Sequence, residues 1–137
     1  MSYLLDTGFL YASLNDIEPR HGAVISIIGG INENIVLPVP AVTETAYLLK
    51  RDLGVEKAAE FISSLDGSPL ILENPWPGDY SRAAEIMLRY ADARVDFVDA
   101  IIVAIAERLD ITRILTLDQR DFRLIRPRHC DSFELLP

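Results

Sequence analysis

Apolar residues along this chain recur with two periods, and the switches between them mark out the elements. Tyr3-Leu4-Leu5 is a short apolar run that ends abruptly at Asp6, which reads as a first strand. Phe9, Leu10, Leu14 and Ile17 then fall at helical spacing and predict a short helix, frayed by Asn15-Asp16. Pro19 favours a first-turn position, and a helix opened by His21 and running through Ala23 to Ile28 stops at Gly29-Gly30. Ile35-Val36-Leu37 predicts a second strand, ended by Pro38 and Pro40. Ala41 to Lys50 is helical, with Val42, Ala46 and Leu49 on one face; Gly54 interrupts the pattern and Val55 to Leu65 resumes it. Asp66-Gly67-Ser68-Pro69 has turn chemistry, and Leu70-Ile71-Leu72 is a third short strand. Asn74-Pro75-Trp76-Pro77-Gly78 is the most irregular stretch and leaves open whether Trp76 is exposed or packed. A helix beginning at Asp79 or Ser81 follows, to about Tyr90. The helix through Ala100 to Ala106 is apolar almost all round, which predicts a central, buried position. Ile114 to Leu117 is a fourth strand with Asp118 at its end, Gln119 to Phe122 a loop or single turn, and Phe133 to Leu135 a last edge strand.

Strands alternate with helices from end to end, with no repeat, low-complexity tract or linker. That order predicts an α/β fold, one domain over residues 1–137, with a mostly parallel central sheet flanked by helices. The 137 residues suit one domain, and half of them are apolar, which supports a sizeable core and excludes disorder. The net charge of -8 excludes nucleic-acid binding by bulk attraction, because phosphates attract Lys and Arg. A nucleic-acid substrate would need bound metal and local basic patches to offset the repulsion. Cys130 is the single cysteine, so there is no internal disulfide, and a reducing compartment fits. The N-terminus lacks the pattern of a signal peptide, and the longest apolar run is too short to span a membrane. The expectation is a soluble, cytoplasmic protein without a membrane partner.

Acidic residues stand at telling places. Asp6 ends a strand, where open α/β sheets bind ligands, although Asp is also a favoured helix N-cap. Glu44 lies in the expected first turn of the helix after the second strand, either as a favourable charge at its dipole or as a second carboxylate at the same sheet edge. Asp96 and Asp99 stand three apart before the buried helix, in the manner of a cap and its reciprocal partner. Asp96 fits the cap, and Asp99, deeper in, is the better ligand candidate, since a buried carboxylate needs a partner. Asp6, Glu44, Asp99 and Asp118 can converge at one sheet edge. Four carboxylates together repel one another, and hard divalent cations such as Mg²⁺ or Mn²⁺, which take oxygen ligands, resolve that repulsion. The usual chemistry of such a site is phosphodiester hydrolysis. His21 has no second His or Cys at ligand spacing, which excludes a zinc site. Arg113, Arg120, Arg123, Arg126 and Arg128 form the densest basic cluster. It is either a solvated surface or a phosphate-contacting rim, with Arg82, Arg89 and Arg94 on a further basic face.

Taken together, Leu5-Asp6-Thr7-Gly8, Val42-Thr43-Glu44-Thr45 with Leu48-Leu49, Asp96-Phe97-Val98-Asp99-Ala100-Ile101-Ile102 with Ala106-Glu107, and Leu115-Thr116-Leu117-Asp118 with Asp121-Phe122 resemble the PIN-domain family, and within it the VapC-type toxin ribonucleases. The pieces span almost the whole chain in the expected order. The resemblance implies a PIN-like three-layer fold, Mg²⁺ or Mn²⁺ as cofactor, cleavage of single-stranded RNA, homodimers, and inhibition by a small antitoxin. By position it implies Asp6, Glu44, Asp99 and Asp118 as catalytic and metal-binding acids, Thr116 as a supporting hydroxyl, and Asp96 and Asp121 as secondary candidates. Gly8 stands where relatives often carry Ser or Asn, so a polar contact is missing there. Two further readings compete: a PIN nuclease of RNA processing without an antitoxin, and a nuclease-dead module that binds RNA or protein. A neighbouring reading frame for a short DNA-binding antitoxin would separate the first from a toxin. The intact acidic quartet speaks against the second.

Overall fold

A computed structural model describes all 137 residues. The elements run β1 (Ser2–Leu5), α1 (Thr7–Leu14), α2 (His21–Gly29), β2 (Asn34–Pro38), α3 (Val39–Leu53), α4 (Val55–Ser64), β3 (Ile71–Glu73), α5 (Pro77–Arg89), α6 (Phe97–Leu109), β4 (Arg113–Leu115), α7 (Arg120–Leu124) and β5 (Glu134–Leu136), with a 3-10 turn at Ala91–Ala93. The five strands form one parallel sheet in the order β3-β2-β1-β4-β5.

Side-chain alternation along the strands divides the interior in two. Leu4, Val36 and Ile114 point to the face covered by α5, α6 and α7, where Ile101, Ile102, Ile105 and Phe122 complete the packing. Their neighbours Leu5, Leu37 and Leu115 point to the opposite face, against Phe9, Leu49 and Phe61 from α1, α3 and α4. The expectation for the apolar helix holds, since every residue from Ala100 to Ala106 is buried. At about 1.5–3 kcal/mol for each large apolar side chain removed from water, this helix is the main anchor of the first core. Gly54 takes φ 99° between α3 and α4, a conformation that strains any L side chain, so a glycine allows the tight join.

Several boundaries differ from the sequence reading for local reasons. α1 ends at Leu14, and Ile17 lies outside it in solvent. α3 starts at Val39 with Pro40 in its first turn, where a proline lacking N–H is harmless; Glu44 therefore sits in the second turn. α5 starts at Pro77, not at Asp79 or Ser81: the Asp79 carboxylate reaches back to accept from the Trp76 N–H at 2.8 Å. β4 is Arg113–Leu115, two residues short of the end of the apolar run Ile114 to Leu117, and Asp118 stands beyond its tip. Gln119 to Phe122 leads into a short helix, and the last strand is shifted by one residue to Glu134–Leu136.

The chain builds outward from β1 through β2 to β3, then returns to lay β4 on the other side of β1. The order reverses at β1 and β4, and ligands in open parallel sheets bind beyond the strand ends at such a switch point.

Candidate active site

Asp6 follows the last residue of β1 and ties itself to β4 through its own N–H, which donates to Leu115 O at 3.0 Å. It is 5% exposed. One carboxylate oxygen accepts from the Thr7 N–H at 2.8 Å, and the other lies 2.7 Å from the Thr116 hydroxyl. Asp6 is thus the N-cap residue of α1, but it bonds the first helical N–H rather than the second or third that a cap usually serves. The Thr116 hydroxyl is also 2.9 Å from Asp118 O. It has one proton, and donation to a carboxylate is the stronger, charge-assisted choice. Burial pushes Asp6 up to about 6; the bonds from Thr116 and Thr7 oppose that rise, and the charges of Glu44 and Asp118 add to it.

Asp99 lies in the first turn of α6, half-buried. Burial raises it well above the carboxylate range, reinforced by the charge of Asp6, a hydrogen bond with Asp121, and the charges of Asp121 and Asp118. Asp121, a secondary candidate on sequence, is thereby placed directly against Asp99. It is buried in α7 and held on its other side by Arg120 at 3.1 Å. Asp96 occupies the N-cap position of α6 with extended backbone, yet its side chain caps nothing. The expectation of a cap is corrected there: the carboxylate faces the cavity. Glu44 in the second turn of α3 is beyond the reach of the helix dipole, which fades within one turn. The dipole reading of Glu44 is lost.

Asp6, Glu44, Asp96, Asp99 and Asp118 line one cavity of about 220 Å³ together with Thr7, Gly8, Leu48 and Val98. No Lys, Arg or His lines it. The structure brings the predicted quartet together and adds Asp96, while Thr116 and Asp121 sit one layer behind. A Cβ on Gly8 would meet nothing within 4 Å, so the missing polar side chain leaves the cavity open. The first turns of α1 and α6 also border it, and their N-terminal partial charges favour the anions there.

As the side chains stand, no three acidic groups are drawn to metal-ligand spacing. The donor set still fits a hard divalent cation. It is all oxygen, it crowds like charges without a basic neighbour, and the buried Thr7 hydroxyl beside it has no hydrogen-bond partner.

The arginines divide. Arg113 lies at the opposite, N-terminal end of β4, stacked 3.9 Å over Tyr3 and paired with Glu33 at 3.2 Å. Arg128 pairs with Glu85, and Arg82 with Glu107 and Glu85. These three serve the structure, so the single rim expected from Arg113 to Arg128 does not form. Arg120 reaches the carbonyl of Ala93 at 2.8 Å, and the Arg126 N–H donates to the Tyr90 hydroxyl at 3.0 Å. Those bonds tie α7 and the residues after it to the segment Tyr90–Ala93, which Arg89 and Arg94 flank. Trp76 is exposed, with the Arg108 guanidinium 4.2 Å above its ring. His21 bonds the carbonyl of Ala12 at 2.7 Å and packs α2 on α1.

The PIN domain family model matches residues 3–126.

The chain belongs to the PIN domain family.

It is 32% identical over 134 residues to Ribonuclease VapC26 of Mycobacterium tuberculosis, covering 98% of this chain and 99% of that protein. Its fold is like that of Mycobacterium tuberculosis VapC20, described as a Sarcin-Ricin loop cleaving toxin. The TM-score is 0.81 at 22% identity over 87% of this chain and 92% of the other. VapBC2 from Rickettsia felis, solved on a DNA fragment from its promoter, matches with a TM-score of 0.72 at 14% identity over 99% and 98% of the chains. In this PIN fold the acids stand at and beyond the carboxyl ends of parallel strands. No helix is long and apolar enough to cross a membrane.

Sequence reasoning missed two features. Asp121 is only a secondary candidate on sequence, because its contact with Asp99 depends on how α7 folds back. The pairing of Arg108 with Glu73 and Asp79 has no counterpart in the sequence reading, although an arginine near the end of an otherwise apolar helix needs partners.

Proposed function

We propose that this PIN protein is a Mg²⁺- or Mn²⁺-dependent endoribonuclease acting on single-stranded RNA, the toxin of a toxin–antitoxin pair. The observation that carries it is the cavity at the switch point, faced by five carboxylates and no basic side chain. The full-length relative named a ribonuclease supports RNA as substrate. The likeness to VapBC complexes supports a small antitoxin as partner.

Asp6, Glu44, Asp99 and Asp118 would hold the cation, with Asp96 near enough to assist. When bound, such a cation supplies positive charge against a phosphodiester and makes water easier to deprotonate. The protein's own groups do the rest. Thr116 and the Thr7 N–H fix both oxygens of Asp6, so its orientation is set before substrate arrives. Asp121, anchored by Arg120, lies against Asp99 and shares a proton with it while no cation is bound. Leu48 and Val98 form the apolar part of the cavity wall and limit access of water. Arg89, Arg94, Arg123 and Arg126 have no carboxylate partner within 4 Å, unlike Arg82, Arg113 and Arg128. They are suited to RNA phosphates, which the guanidinium fork binds bidentately.

Incubation of the purified chain with a mixed RNA pool tests this reading. Cleavage with Mg²⁺ or Mn²⁺ is expected, with silence in EDTA and in Asp6→Asn. Full activity in chelator, or dependence on zinc alone, would overturn it.

A further inference from the structure

A cavity larger than the acidic one adjoins it. A groove of about 650 Å³ runs between α3, the loop before α5, and the start of α6. It is continuous with the acidic cavity, because Glu44 and Val98 line both. Its size falls in the range of small-molecule sites, roughly 300–1,000 Å³.

Three aromatic side chains open into it: Tyr47 of α3, Tyr80 of α5 and Phe97 of α6, exposed by 64%, 52% and 41%. None stacks on another ring. Only Tyr47 has a cation near it, Arg51 at 6.0 Å from the ring centroid, the edge of contact range. Three exposed rings around one groove are an unusual arrangement in a soluble chain, where large apolar patches mark binding sites. The one charged group in the lining is Glu44. A phosphate would be repelled there, whereas a flat, uncharged ring would not. Thr43, Asn74 and the two phenol hydroxyls offer hydrogen bonds to the edge of such a ring.

The wall formed by residues 74–80 is held rigidly. Arg108 bonds Asp79 at 2.9 Å, Glu73 at 3.0 Å and the carbonyl of Asn74 at 3.3 Å, and lies over Trp76 at 4.2 Å. Asp79 in turn bonds the Trp76 N–H. Asn74 and Tyr80 are therefore positioned in advance, which reduces the ordering cost of binding a ligand.

We infer that this groove is a nucleobase subsite, taking one unpaired base of the RNA strand next to the phosphodiester held at Asp6, Glu44 and Asp99. The inference rests on the ribonuclease reading for its substrate and on the groove for its chemistry. Aromatic faces hold bases of single strands by stacking, with little sequence preference, and polar edges add selectivity. A duplex keeps its bases stacked inside and cannot offer one, so the groove gives the enzyme its choice of unpaired RNA.

The test uses the full chain with Ca²⁺ in place of Mg²⁺, an oxygen-seeking cation that neutralises the acids but activates water poorly, and a short single-stranded RNA with 2-aminopurine at each position in turn. The wild type should quench the fluorescence at one position, or two adjacent ones. Tyr47→Ala with Tyr80→Ala should abolish that quench and weaken RNA binding about tenfold to a hundredfold, the size of a lost base stack. Tyr47→Phe with Tyr80→Phe, which keeps the rings, should retain both. The tyrosines are exposed, so the fold should survive, as circular dichroism can check. Uniform quenching along the strand, or a quench that survives the double Ala change, would overturn the subsite. An unchanged quench with a shift from dimer to monomer in sedimentation would assign the groove to a second copy of the chain. Failure of the wild type to cut RNA in Mg²⁺ or Mn²⁺, with the position-specific quench intact, would sink the ribonuclease reading and leave the base subsite standing.

Discussion

Behind the loop at Asn74–Gly78, Glu73, Asp79 and Glu107 lie largely under cover, and each has an arginine nitrogen within 3.0 Å: Arg108 for the first two, Arg82 for the third. At the other end of α6, Asp6 and Asp99 are also covered and have no basic side chain against them. Arg120, near that end, is taken up by Asp121. The C-terminal end of α6 thus borders a compensated acidic cluster and its N-terminal end an uncompensated one. Compensation is what a fold needs from buried charge. Its absence in the cavity, where Asp6 and Asp99 are held off their ordinary ionisation, is what supports the proposed divalent cation there.

The largest effect should come from the uncompensated side. Asp6→Asn or Asp99→Asn should lower cleavage at least on the order of a hundredfold, since even the outer partners of metal ligands contribute tenfold to a hundredfold. Neither change should reduce urea stability of the metal-free protein. Asn caps helices about as well as Asp, so wild-type rates in Asp6→Asn would return that residue to a capping role. On the compensated side the outcome should be inverted. Arg108→Met leaves Asp79 and Glu73 without a cation and should cost about 3 kcal/mol or more in urea unfolding. Stability equal to wild type would show that the two clusters do not differ as described.

Acidity separates the two clusters further. In the metal-free protein Asp6 titrates at about 6 when folded, against 3.8 ordinarily. The folded state binds the extra proton between those values. The destabilisation is therefore absent below about pH 4, grows as pH rises through 6, and stays in force above; Asp99, raised further, extends the trend upward. At about 1.4 kcal/mol per pH unit, Asp6 alone contributes on the order of 3 kcal/mol at most. Asp52, held down to about 2 by bonds from Arg51 and Tyr11, has the opposite sign but acts only at lower pH. Melting curves of the metal-free protein should fall from pH 4 to 7, and Mg²⁺ should restore the loss at pH 7. A flat profile, or one rising toward neutrality, would contradict the account.

The smallest effect concerns the arginines. Replacing Arg123 and Arg126 by Ala should weaken RNA binding and flatten its salt dependence by roughly 0.7 in log–log slope for each phosphate left unneutralised. Arg128→Ala, paired as it is with Glu85, should leave the slope unchanged. Equal slopes in all variants would make the whole basic face a solvated surface.

Much of this is legible in the chain alone. Alternating strand and helix periods predict the parallel sheet, and the apolar run at Ala100–Ala106 predicts a buried helix, because burial on all sides leaves no polar face to hide. Asp6, Glu44, Asp99 and Asp118 are legible because each follows a strand or lies near the start of a helix, and all such positions meet at one sheet edge. What escapes the sequence depends on side-chain reach across that edge. The capping bond expected of Asp96 is absent, because that carboxylate turns to the cavity. The contact of Asp121 with Asp99 arises from the fold of α7. Arg113 and Arg126 are close in sequence but at different ends of the molecule, since a parallel strand separates its two ends. The aromatic groove draws Tyr47, Tyr80 and Phe97 from three helices with no shared spacing.

The central claim is that the uncompensated acids await a divalent cation, and calorimetric titration of Mn²⁺ into metal-free protein at neutral pH tests it most directly. Wild type should bind with release of protons, as the raised Asp6 and Asp99 ionise. Asp6→Asn and Asp99→Asn should lose that binding, and Asp79→Asn, in the compensated cluster, should keep it. Mn²⁺ binding that persists unchanged in Asp6→Asn, or no binding by the wild type, would contradict the claim.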